Sequence, residues 1–135
     1  MKKITLILFA FILFACSVEN DNLDTHFEII PVESAVLPDE FVLGNLHLIK
    51  LTYLRQSTCH AYNDIYYVAD SNERTVAVVN IVFDSNGNCE EISDELEASF
   101  NFRATEPGSY IFKFWQGTDD NGEDLYLTVE VPVVE

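Results

Sequence analysis

The sequence of 135 residues predicts an all-β fold, an antiparallel β-sandwich of about seven strands, on three observations. After residue 26 apolar residues recur at every second position, the period of a strand with one buried face. All five glycines (44, 87, 108, 117 and 122) fall between those runs, where a turn asks for positive φ. Two of them complete Asn86-Gly87 and Asn121-Gly122, the strongest short hairpin signal. One sheet with this much apolar surface would leave a face in water, so two sheets must close on each other.

In chain order, residues 1–15 come first. Lys2 and Lys3 precede an apolar run over residues 4–13, the layout of a signal peptide and too short for a bilayer core of about 30 Å. Leu13-Phe14-Ala15-Cys16 then resembles the bacterial lipobox, with an aliphatic residue at −3 and a small one at −1, although Phe14 is bulkier than usual at −2. The resemblance implies that residues 1–15 are a lipoprotein signal peptide and that Cys16 carries the lipid, which anchors the chain to the membrane. Ser17 stands where some Gram-negative lipoproteins carry the Asp that retains them at the inner membrane, so outer-membrane placement is expected, on the periplasmic or the surface side. Residues 16–26 read as an acidic tether reaching roughly 15–20 Å. Their acidic residues also resemble the surface-export signal of Bacteroidetes lipoproteins.

Residues 27–135 form the expected domain. Residues 27–32 make a weak edge strand, and 46–54 and 62–68 two clear ones. Residues 75–83 (TVAVVNIVF) are almost continuously apolar and β-branched, as in a central strand covered on both faces. Residues 97–103 place Ala98, Phe100 and Phe102 on one face. Residues 109–116 place Tyr110, Phe112 and Phe114 on one face, with Ile111, Lys113 and Trp115 on the other. Residues 124–133 turn Leu125, Leu127, Val129, Val131 and Val133 inward and Tyr126, Thr128 and Glu130 outward. Residues 90–97 are the one stretch that suits a helical turn.

Glu106-Pro107-Gly108-Ser109-Tyr110 resembles the tyrosine corner of immunoglobulin- and fibronectin-like sandwiches, whose Tyr hydroxyl bonds to upstream backbone. That likeness places Tyr110 at the start of the penultimate strand. Phe112 then stands where antibody-type domains carry their second cysteine, so a bridge here is not the usual inter-sheet one. The lipobox, Cys59-His60-Ala61-Tyr62-Asn63-Asp64, Arg74-Thr75-Val76-Ala77-Val78-Val79 and the segment 108–117 together resemble small lipoproteins of flavobacteria. This resemblance implies location and an immunoglobulin-like domain, and no activity.

Charge narrows the function. There are 23 acidic against 7 basic residues, a formal charge of −16, and without Lys2 and Lys3 it falls to −18. Such a surface repels phosphate backbones, which argues against nucleic acid as a partner. With Cys16 given to lipid, Cys59 and Cys89 remain, and in an oxidising compartment they are expected to pair. Cys59, His60 and Cys89 are too few for zinc.

No nucleophile motif, HExxH or phosphate-binding glycine loop occurs, His26, His47 and His60 are separated in sequence, and Cys59 and His60, as neighbours on a strand, point apart. The expectation is a non-enzymatic chain without a cofactor. Two loops are rich in oxygen ligands, Asp84 to Glu90 and Asp119 to Asp124. Their glycine falls at the fourth position, not the sixth of an EF-hand, and hairpin turns use the same residues. Asp119, Asp120 and Asp124 are the calcium alternative. Trp115 and Tyr126, side by side on the outward face with Lys113, offer a platform for a sugar ring or a partner protein, or else the N-terminal strand or a loop covers them. Tyr62, Tyr66 and Tyr67 have the same two readings. A binding or accessory module is expected, with a structural role through an exposed sheet edge as the alternative and an enzyme on envelope glycans last.

Overall fold

Pro31 divides the first extended run between two sheets. A computed structural model describes residues 24–84 and 87–135; the expected signal peptide, Cys16 and the expected tether as far as residue 23 lie outside the described residues. Strand β1 (Thr25–Ile30) joins the larger sheet, whereas β2 (Val32–Val36) joins the smaller one. Proline has no N–H to give to a ladder, so the chain changes sheets there. Thr25 and His26, expected in the tether, belong to β1.

The remaining strands are β3 (Phe41–Val42), β4 (Leu46–Ser57), β5 (His60–Asp70), β6 (Glu73–Phe83), β7 (Glu91–Arg103), β8 (Gly108–Thr118) and β9 (Asp124–Val134). The smaller sheet runs β2-β4-β7 and the larger β1-β6-β8-β9-β3, with β5 on the other side of β6. The fold is therefore an all-β sandwich, with nine strands among the described residues in place of about seven. It is not wholly antiparallel, because β6 pairs β8 and β3 pairs β9 in parallel. The expected helical turn over residues 90–97 is the first half of β7, which pairs with β4 from Glu91 onward. Its glutamates favour a helix locally, but pairing with β4 overrides that preference. The acidic residues also blunt an edge strand that would otherwise invite pairing.

The core lies between the sheets. Ile49, Leu51 and Tyr53 of β4 and Ala98 and Phe102 of β7 meet Val76 and Val78 of β6 and Tyr110, Phe112 and Phe114 of β8. Phe41 is fully buried among them, 4.9 Å from the Phe102 ring centre and 5.9 Å from that of Phe112. The inward parity expected for β8 and for residues 97–103 holds, while Leu125, at the start of β9, stays exposed.

Tyr110 closes the corner before β8. Its hydroxyl accepts the backbone N–H groups of Thr105 and Glu106, both at 3.1 Å. Burial raises its pKa, but those bonds, with the Thr105 side chain and the Arg74 charge, bring it below the ordinary tyrosine value. The Arg74 guanidinium lies 5.0 Å from the Tyr110 ring centre. Tyr110→Phe keeps the ring and orphans two N–H donors, so it is expected to cost about 1–2 kcal/mol, read as a lower urea midpoint at unchanged slope.

Candidate functional site

Alternation along β8 turns Lys113 and Trp115 away from the core, because Phe112 and Phe114 are fully buried on the other side. Across the β8–β9 ladder Trp115 pairs directly with Tyr126, and both are half-buried. The Lys113 Nζ sits 4.4 Å from the Tyr126 ring centre, a cation–π contact. The Trp115 Nε1–H donates to Asp124 Oδ1 at 3.0 Å. Burial first, and then the Asp124 carboxylate, holds the Tyr126 hydroxyl above the usual tyrosine pKa. The three residues expected on one face, Trp115, Tyr126 and Lys113, are thus together there.

A bulge follows Trp115, where the register with β9 shifts before Thr118. Gly117 absorbs it with φ +98°, a conformation that L side chains rarely adopt. The adjacent Gln116 Nε2 donates to the Val32 carbonyl at 3.1 Å, tying the end of β8 to the smaller sheet. Trp115 is therefore held at both backbone and side chain.

Beside these residues is a recess of about 230 Å3 lined by Ile29, Tyr66, Thr75, Ala77, Trp115, Asp124 and Tyr126. Its cause is topological. One edge of β6 pairs with β8 over residues 73–76 and with β1 over residues 78–83, so the partner changes at Ala77. A small side chain at that change leaves a hollow that larger neighbours surround. Strand β1 lies in the sheet beside β6 and does not cover the face. Outward residues extend the apolar surface beyond the recess: Phe27 is 65% exposed, Ile29 49%, Tyr66 44% and Val68 42%.

The other two tyrosines of β5 go elsewhere. Tyr62 faces Tyr53 at 6.4 Å and Tyr67 faces Phe100 at 5.9 Å, on the side of β5 that looks toward the smaller sheet. The carboxylates of the β8–β9 turn are separately employed. Asp119 Oδ1 accepts the N–H groups of Asn121 and Glu123, and Asp124 accepts the indole. Among the described residues no group of three His, Cys, Asp or Glu side chains is arranged to hold a metal ion, Asp119, Asp120 and Asp124 included. The loop from Asp84 to Glu90 lies partly outside the described residues. Cys59 and Cys89 are joined in a disulfide, with Cα atoms 5.5 Å apart.

One constellation has no local sequence signal. Ser57 Oγ lies 2.6 Å from His60 Nδ1, His60 Nε2 2.8 Å from Glu28 Oε2, Glu28 Oε1 2.9 Å from His26 Nε2, and His26 Nδ1 3.1 Å from Asp84 Oδ2. The order hydroxyl, imidazole, carboxylate is that of a nucleophile relay. Here, however, the Ser57 hydroxyl accepts the Cys59 N–H, and His60 is buried. The chain works as a latch that fastens β1 to the β4–β5 turn and to the end of β6.

The latch has a pH signature. Hydrogen bonds to the Glu28 carboxylate and then to that of Asp84 raise the His26 pKa above 6.5, and His26 and then His60 lower the Glu28 pKa below 4.5. The His26 contribution is complete below pH 6.5 and is lost as pH rises through its raised value. The Glu28 contribution is complete above pH 4.5 and is lost as pH falls through its lowered value. Amide exchange in β1 is expected to be slowest, after correction for the intrinsic rate, between pH 4.5 and 6.5 and to rise on either side. His26→Ala should abolish the upper limb.

No family model, curated protein or solved structure matches the chain.

Proposed function

We propose that this chain is a lipid-anchored protein of the outer membrane that acts as a non-catalytic binding module for a protein or carbohydrate ligand, using the outer face of its larger sheet. One observation carries the reading: Trp115 and Tyr126 stand opposite each other across β8 and β9, partly accessible and at the rim of a recess. Aromatic anchors held rigid on strands contribute contact area at low entropy cost, which is how few residues carry most of a binding energy. The lipobox residues ending at Cys16 and the acidic stretch after them support the membrane address. The resemblance to flavobacterial lipoproteins rests on the same residues.

Trp115→Ala is expected to weaken capture of the ligand, found by screening envelope glycans and envelope extracts, by about tenfold or more. Its urea midpoint should stay near that of the unmodified chain, because Trp115 is outside the core cluster. Equal capture by both chains would refute the use of this face.

A second reading has its own observation. Among the described residues β5 pairs only with β6 and β7 only with β4, so each sheet has an edge at the same side of the sandwich. Between these edges lie hollows lined by Tyr62, Leu96 and Ala98 and by Tyr67, Arg74 and Phe100. An extended segment of an envelope partner would pair there through its backbone. Co-purification of such a partner, insensitive to Trp115→Ala, would favour this assembly role.

A further inference from the structure

We propose that the recess at Trp115 binds a small alkylammonium cation, with the rings of Tyr66, Trp115 and Tyr126 as its walls and the Asp124 carboxylate as its counter-ion. The inference rests on the reading of this face as a binding surface and names the ligand chemistry.

The lining carries three aromatic rings, and Asp124 is its only charged residue. Ring faces carry negative potential, so converging aromatic side chains attract a cation whose charge is spread over methyl groups and which is cheap to desolvate. Among the described residues no Lys, Arg or His lies within ion-pair distance of Asp124. Its carboxylate is instead positioned by a neutral donor, the Trp115 indole, which fixes it at the rim without cancelling its charge. An anion would meet both that charge and a chain of net charge −16. The ring chemistry is already exercised inside the molecule, where the Lys113 ammonium lies over Tyr126. Lys113 itself does not line the recess. Ala77 and Thr75 form a floor without a long side chain, which leaves depth for a methylated head.

Trp115 is the chain's one tryptophan, so its emission reports this site alone. The full chain in a neutral detergent is titrated with tetramethylammonium chloride at constant ionic strength, and in parallel with tert-butanol as the neutral isostere. A saturable emission change is expected for the cation, about tenfold tighter than for the isostere. Asp124→Asn, which keeps an acceptor for the indole, should weaken the cation about two- to fivefold and leave the isostere unchanged. Lys113→Gln, which removes the ammonium over Tyr126, should tighten the cation. Repeating the titration with choline and with phosphatidylcholine vesicles separates a dissolved ligand from a lipid headgroup, since only the second is felt at vesicle surfaces. Equal affinity for cation and isostere, or no saturable change, overturns the proposal. If Trp115→Ala still weakens capture of a glycan or protein in that event, only the cation chemistry falls. If it does not, the reading of the face falls with it.

Discussion

Phe112→Ala is expected to remove most of the stability of this domain. The Phe112 ring is fully buried and sits at the hub of the aromatic core, 5.0 Å from Phe102 at 90°, 5.9 Å from Phe41, 6.0 Å from Phe114 and 6.5 Å from Phe100. Truncation removes the transfer energy of the ring and opens a cavity that residues on two sheets line, and neither sheet can collapse into it without breaking its own ladder. Such changes cost about 3–5 kcal/mol, against a total of about 5–15 kcal/mol for a domain. The edge-to-face pair with Phe102 adds an orientation term of about 0.5–1.5 kcal/mol that an aliphatic replacement would also lose. The urea midpoint measures the outcome, with Ile111→Ala, one residue away on the outer face, as the control expected to shift it far less. Comparable losses in the two variants would mean that the core does not lie between the sheets.

The same strand shows what sequence reading can and cannot reach. From Tyr110 to Trp115 the side chains of β8 alternate, so Tyr110, Phe112 and Phe114 could be assigned inward and Lys113 and Trp115 outward from period alone. Trp115, Tyr126 and Lys113 followed as neighbours because two hairpin strands share one register. The recess did not follow. It exists because β6 exchanges β8 for β1 at Ala77, and both pairings join residues distant in sequence. Ile29 enters the site through the β1–β6 pairing, and Tyr66, opposite Ala77 in the β5–β6 hairpin, meets Trp115 only through β6–β8, so no motif near Trp115 announces them.

Strands β2 and β3 were hidden for another reason. They are short, they flank Pro31 and Pro38, and their burial is supplied by neighbours, as when Phe41 is enclosed by Phe102, Tyr110 and Phe112. In β7 the conflict was between levels: the acidic half reads as helical locally, yet its partner β4 is already a strand. The latch joining Ser57, His60, Glu28, His26 and Asp84 depends on two long-range links, Glu28 to His60 and His26 to Asp84, and isolated histidines in a sequence give no sign of them.

Loss of the Cys59–Cys89 bridge is expected to cost about 3–4 kcal/mol while leaving the native fold and the recess in place. The bond spans 30 residues of sequence, and the closed loop holds the whole β5–β6 hairpin. Chain-entropy reasoning assigns the effect to the unfolded state, which the crosslink confines. The native junction has other ties: Thr58 N–H donates to the Glu90 carbonyl, Glu90 N–H to Thr58 Oγ1, and Phe83 N–H to the Cys59 carbonyl, each at 3.0 Å. With those bonds intact, the double variant Cys59→Ser, Cys89→Ser has no reason to shift β4 or β7 in the folded state. It should therefore show native Trp115 emission together with a lower urea midpoint and a larger slope, because the uncrosslinked chain exposes more surface on unfolding. A changed emission in the folded variant would mean instead that the bridge holds the native arrangement, and the loss would then belong to the folded state. The distinction has a cellular consequence, since a chain made in a reducing compartment would carry the same deficit until it reached an oxidising one.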